Sequence, residues 1–153
     1  VIHVALFEPE IAGNAGASAR TCLATGSSLH LIRPLGFRLT DEAVRRAGMD
    51  YWQEAEVTVH SSFALFQEVF SGQFASERVF ALSTKATRLY SEVGYTEGDV
   101  LLFGPESRGL PEEVRALCRP VRIPMRPEVR SLNLAVSVGV ALYECRRQLG
   151  AWD

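Results

Sequence analysis

The chain has 153 residues, 47% of them hydrophobic and 22% charged, and a net charge of −2. That length predicts one domain over residues 1–153, long enough to bury a core without disulfides or a structural metal. The composition excludes a disordered or collagen-like chain, the charge excludes a globally basic nucleic-acid binder, and no run approaches the ~20 apolar residues of a membrane helix.

Val1 to Phe7 is apolar and rich in β-branched residues, which predicts a first strand. Glu8 and Glu10 follow where a signal peptide would need its apolar run, so a cytoplasmic protein is expected. Asn14 offers an N-cap for a helix over Ala15 to Thr25 that stops at Gly26. Ser28 to Ile32 predicts a short strand closed by Pro34. Thr40 caps a short helix over Asp41 to Ala47, and Val57 to His60 gives a third strand. Ser61 or Ser62 caps a helix to Phe70, with Phe63, Phe66 and Phe70 at helical spacing. Val79 to Ser83 is a strand, Lys85 to Glu97 a long loop, and Val100 to Phe103 a buried strand. Pro111 suits a first helical position, with Glu112 and Glu113 in the first turn. Val121 to Pro124 predicts the last strand, and Ser131 caps a final helix running to Leu149.

Strand and helix alternate throughout, and strands such as VLLF are apolar on both faces. The expected fold is therefore three-layer α/β, with a mostly parallel sheet of about six strands between helical layers. Ligands in such sheets bind beyond the carboxyl ends of the strands, which directs attention to the loops there. The first such loop, EPEIAGNAGASAR, lacks G-x-G-x-x-G, and the chain contains neither a P-loop nor a G-x-S-x-G elbow. Cys22, Cys118 and Cys145 form no C-x-x-C pair and read as reduced core thiols. His3, His30 and His60 lie on strands without metal-ligand spacing and read as ordinary, partly buried histidines; no metal is expected.

Residue usage singles out two positions. Of sixteen basic residues fifteen are Arg, and only two Asn occur, Asn14 and Asn133. Asn14 opens a small-residue helix, and Arg20 follows nearly two turns later; an N-cap and a solvated arginine account for the same residues. Phe103 to Pro111 (FGPESRGLP) carries two Gly and two Pro. These fix an unusual backbone path and expose main-chain groups that could recognise a flat heterocycle, though a turn-rich connection would look alike. Arg115, Arg119, Arg122, Arg126 and Arg130 form a basic series interrupted only by Glu128. Arginine forks suit phosphates, and a solvated basic edge is the plainer reading.

Taken together, these segments resemble the SPOUT-class RNA 2′-O-methyltransferases. The motifs are N-x-G-x-x-x-R at Asn14, Gly16 and Arg20, F-G-P-E-x-x-G-L-P at Phe103 to Pro111, and R-S-L-N-L at Arg130 to Leu134. FEPEI at 7–11, TGSSLHLIRPLGF at 25–37 and RRAGMDYW at 45–52 are similar to the minimal, single-domain branch acting on the tRNA wobble nucleotide. The resemblance implies a C-terminal trefoil knot, which the residue pattern alone does not predict. It implies S-adenosylmethionine as cofactor, S-adenosylhomocysteine as product, and contacts from Leu82, Gly104, Ile123, Ser131 and Leu132, mostly through main chain. It implies Arg20 as the catalytic helper, with Asn14, Glu106, Arg126, Arg130 and Asn133 holding RNA or fixing site geometry.

The implied assembly is a homodimer acting on tRNA, each site completed by the partner subunit. The final helix agrees independently, being apolar nearly all round with small residues at 137, 139 and 141. Two other readings stay open on sequence: a ribosomal-RNA enzyme of the same class, and a non-catalytic RNA-binding module of the same fold.

Overall fold

The computed structural model describes residues 1–40, 42, 44, 46 and 52–150. The helix expected over 41–47 and the RRAGMDYW segment fall largely outside the described residues. Among those described, six strands form one sheet: β1 (His3–Phe7), β2 (Ser28–Ile32), β3 (Glu56–His60), β4 (Val79–Leu82), β5 (Val100–Phe103) and β6 (Arg119–Val121). Their order is β3-β2-β1-β5-β4-β6, and every adjacent pair is parallel.

The centre of the sheet is buried on both faces: β4 and β5 are apolar at every position, and β1 and β2 are buried nearly throughout, whereas the edge strands β3 and β6 carry Glu56 and Arg119 and are partly exposed. Val4 and Leu6 of β1, Phe80 of β4, and Leu101 and Phe103 of β5 face one core. That core is completed by Ala15, Ala19 and Cys22 of α1 (Ala12–Thr25) and by Leu134, Val138, Ala141 and Leu142 of α5 (Leu134–Leu149). Ala5, Phe7, Val79, Ala81, Val100 and Leu102 face the other. It is closed by Phe66 of α2 (Phe63–Val69), by Phe70 between α2 and α3 (Ser71–Ala75), and by Val114 of α4 (Glu112–Arg115). Helices therefore cover both faces of the parallel sheet, the expected three layers.

Four boundaries differ from the sequence reading. Helix α1 begins at Ala12 with Ile11 as its N-cap, so Asn14 lies inside the first turn and does not cap. Asn133, not Ser131, caps α5, its side-chain oxygen accepting the Val136 N–H at 3.2 Å. The last strand is Arg119–Val121 rather than 121–124. Pro120 is tolerated because β6 is an edge strand paired only with β4. Beyond it Arg122 keeps one bridge, to Leu89. Pro111 stands at the N-cap of α4, one position before the one expected. The end of α1 is as expected, with Gly26 left-handed at φ 66°.

The three cysteines are free, and burial pushes each thiol up to about 12. They are core residues, as the sequence indicated. The histidines are more organised than expected. Strands β1, β2 and β3 bring them into a line: His3 Nδ1 lies 2.6 Å from Ser28 Oγ and 3.2 Å from His30 Nε2. His30 Nδ1 lies 2.9 Å from His60 Nε2. Phe70 packs edge-on against His3 and His30, and Phe66 against His60. Burial, with the neighbouring imidazoles, lowers His30 to about 3. The described residues contain no group of His, Cys, Asp or Glu placed to hold a metal.

Candidate active site

The strand order reverses between β1 and β5, and open parallel sheets form a crevice beyond the strand ends at such a point. A cavity of about 570 Å³ lies there, inside the ~300–1,000 Å³ of small-molecule and cofactor sites. Its walls come from four places: the start of α1 (Ile11, Asn14), the end of β4 (Leu82 to Lys85), the loop after β5 (Phe103 to Leu110), and the segment entering α5 (Arg130 to Leu134). Ile123, Met125, Arg115 and Ser137 complete it.

The chain thus gathers Leu82, Gly104, Ile123, Ser131 and Leu132, the five residues expected to contact a cofactor, around one space. Asn14, Glu106, Arg130 and Asn133 join them. Two of the expected residues do not line it. Arg126 is exposed beside Glu128, its Nε 3.4 Å from that carboxylate. Arg20 is exposed on α1, six residues or about 9 Å of helix from Asn14.

Backbone shape, more than side-chain chemistry, forms the loop after β5. A Cβ built on Gly104 would lie 2.3 Å from the Leu110 nitrogen and 2.4 Å from the Gly109 carbonyl carbon, so the loop folds back on itself only with glycine there. Gly109 is left-handed at φ 68°. Its N–H, like that of Arg108, returns to the Pro105 carbonyl.

Within the lining, Glu106 reaches across to the start of α1. Its carboxylate accepts the N–H of Glu10 at 2.8 Å, the N–H of Ile11 at 2.9 Å and Asn14 Nδ2 at 3.1 Å. A carboxylate more than ninety residues away thus ties down the two residues that precede the helix, and Asn14 gives its side chain to this tie and not to a cap. Glu106 is the single carboxylate in the lining, against Lys85, Arg108, Arg115 and Arg130, so the rim favours an anionic ligand.

Sequence reasoning missed Lys85, Met125 and the opposing residue Glu10, and placed Arg115 only in the basic series. The only lysine in the chain was a signal available at Lys85. Glu10 gave none, since its partner is 97 positions away.

Residues 1–143 match the SpoU rRNA Methylase family. A protein of Methylovorus glucosotrophus named tRNA (cytidine(34)-2′-O)-methyltransferase is 47% identical over 151 residues, covering 97% of this chain and 96% of its own. A solved structure described as "Structural insights into the 2-OH methylation of C/U34 on tRNA" is 53% identical. It superposes with a TM-score of 0.92, covering 97% of this chain and 96% of that one. An AdoMet-bound rRNA methyltransferase from Sinorhizobium meliloti is 28% identical with a TM-score of 0.84, covering 97% of this chain and 56% of that one.

Proposed function

The chain belongs to the SpoU rRNA Methylase family, and from that membership we propose a single catalytic domain that methylates tRNA. It transfers a methyl group from S-adenosylmethionine to the 2′-hydroxyl of the anticodon wobble nucleotide, cytidine or uridine 34, in keeping with its relatives. The observation that carries the reading is the single cavity in which all three motifs converge beyond the strand ends.

The residues present fit the cofactor. The cavity has the volume of a cofactor site, its walls come from loops that follow strand ends and from the starts of α1 and α5, and Gly104 excludes any side chain from the tightest turn. Leu82, Gly104, Ile123, Ser131 and Leu132 would hold it. S-adenosylmethionine supplies a methyl group on a positively charged sulfur, and so asks for no metal.

What the chain must supply is help for the acceptor. A ribose hydroxyl loses its proton as its oxygen is alkylated, and negative charge develops on that oxygen. A guanidinium is a poor base in proteins, so the role read for Arg20 is to stabilise this charge. Asn14 and Asn133, at the starts of α1 and α5, fix the two walls between which the reaction occurs. Arg126 and Arg130 bind phosphates of the RNA.

Arg20 stands outside its own chain's cavity, which supports a homodimer with composite sites. A second support is the apolar stripe Val136, Val140 and Tyr143 on α5; Val136 and Tyr143 are about half exposed while the opposite face of the helix is buried. The trefoil knot is part of the same reading. It is supported by the path of residues 119–133, which pair with β4, bridge to Leu89 and return to α5 against α1. A tRNA substrate calls for action in the cytoplasm.

The test is to map ribose methylation by mass spectrometry in tRNA from a strain deleted for the protein. Loss of 2′-O-methyl at nucleotide 34, restored by the gene, is the expected result. Methylation lost from ribosomal RNA instead would overturn the substrate.

A further inference from the structure

Two carboxylates join the loop after β5 to the start of α1, and they point in opposite directions. Glu106, from the loop, caps the N–H groups of Glu10 and Ile11. Glu10, from the start of α1, answers it: its carboxylate accepts the Ser107 N–H at 2.8 Å and the Ser107 O–H at 2.8 Å. These bonds, with Arg108 beside them, hold the Glu10 carboxyl below the usual range, so it is charged at neutral pH. Arg108 adds a second tie to the same segment, 2.8 Å from Glu8.

The Glu10 backbone is fixed from behind as well. Gly36 donates its N–H to the Pro9 carbonyl at 2.9 Å, and a Cβ on Gly36 would lie 2.7 Å from the Glu10 carbonyl oxygen. Glu8 takes a left-handed φ of 47°, a costly conformation for a residue with a side chain. A strained, tightly backed segment with six hydrogen bonds exchanged across it resists sliding far more than either loop alone.

We propose that Glu10 is a positioning residue for methyl transfer. Its carboxylate locks Ser107, and with it the cofactor-side loop, to the start of the helix that carries Asn14 and Arg20. This inference rests on the methyltransferase reading above. Cofactor affinity comes from main chain in the loops themselves and does not need the lock. The rate needs the loop and the helix in register, and a misplacement near 1 Å can cost about 10²-fold.

The experiment measures single-turnover transfer to tRNA at saturating RNA and cofactor, cofactor Kd by calorimetry, and thermal unfolding. The parent chain is compared with Glu10→Ala, Glu10→Gln, Ser107→Ala and the double alanine variant. Glu10→Ala should slow transfer by about 10- to 100-fold while cofactor Kd stays within about threefold. Glu10→Gln should restore most of the rate, since its oxygen accepts the Ser107 N–H and its amide donates to Ser107 Oγ. The double variant should be no slower than Glu10→Ala, because the two side chains act as one unit. Should Glu10→Ala fail to fold, Ser107→Ala, which keeps the main chain, carries the test with a rate loss at unchanged Kd.

An unchanged rate in the alanine variants overturns the inference. So does a rate loss matched by lost cofactor affinity, or one that glutamine does not restore. A parent chain that binds cofactor but transfers no methyl group to tRNA overturns the underlying reading, and this inference with it.

Discussion

Asn14 and Asn133, the only two asparagines, meet at one cavity, one bonded to Glu106 and the other capping α5. Their scarcity was legible in sequence; their partners were not, because Asn14 serves a carboxylate from a loop 92 residues away. Arg20 belongs to the same motif, and its removal should cost turnover, not cofactor binding. Loss of a preorganised donor typically lowers the rate about 10²–10³-fold. Arg20→Lys should recover little of it, since a point charge cannot replace the planar fork. Single-turnover rates beside cofactor titrations check this, and a near-parental rate for Arg20→Ala would remove its catalytic role. Gly104 makes the opposite prediction. Any side chain there meets backbone atoms of Gly109 and Leu110, which have no rotamer to escape into. Gly104→Val should abolish cofactor binding by calorimetry while the protein remains folded by circular dichroism.

The elements show why some boundaries were readable and others were not. VLLF is apolar at every position, and β5 appears where expected, buried on both faces. Gly26 ends α1 where expected, since the left-handed residue and the helix it terminates are neighbours in sequence. The start of α1 was misread because Asn14, the cap the sequence offered, gives its side chain to Glu106, and that of α5 because Ser131 and Asn133 stand two residues apart and only Asn133 accepts the Val136 N–H. Asn133→Ala should therefore destabilise the protein by about 1 kcal/mol in denaturant unfolding, whereas Ser131→Ala should not. The histidine line is a property of three adjacent strands. In the unfolded chain His30 takes a proton near pH 6.5; in the folded protein it resists until about 3. Between those values the unfolded state binds more protons, so stability is complete above about 6.5 and falls as pH drops toward 3. The slope approaches about 1.4 kcal/mol per pH unit for each such group. His3 and His60 are lowered as well and add to it, with the amino terminus opposing and Glu56 favouring charge on His3. Chemical unfolding at pH 7.5 and 5 should show the loss. His30→Leu should flatten the dependence, and an equal slope in that variant would assign it elsewhere.

At the scale of the whole molecule, charge and apolar surface divide the tasks. From residue 104 onward the chain carries +2, against −4 before it, and the cavity rim holds four basic side chains to one carboxylate. Arg126→Ala should weaken tRNA binding and shrink its salt dependence by about one phosphate contact, leaving single-turnover transfer at saturating RNA near the parental rate. Filter binding across a salt series separates this from the effect at Arg20. The stripe Val136, Val140 and Tyr143 predicts a dimer at micromolar concentration by sedimentation, and Tyr143→Glu should shift it toward monomer.

The cavity also sets when the protein can become competent during its own synthesis. Its lining runs from Ile11 to Ser137, and α1, made early, packs on α5, made more than a hundred residues later. At ~5–20 residues per second a ribosome needs several seconds to travel between those points. Until the Arg130 to Leu134 segment has emerged, the first helix packs only on the sheet and the cavity lacks the wall that this segment supplies. A nascent chain therefore has no site in which to hold a cofactor, and competence arrives in one late step when the last helix closes on the first.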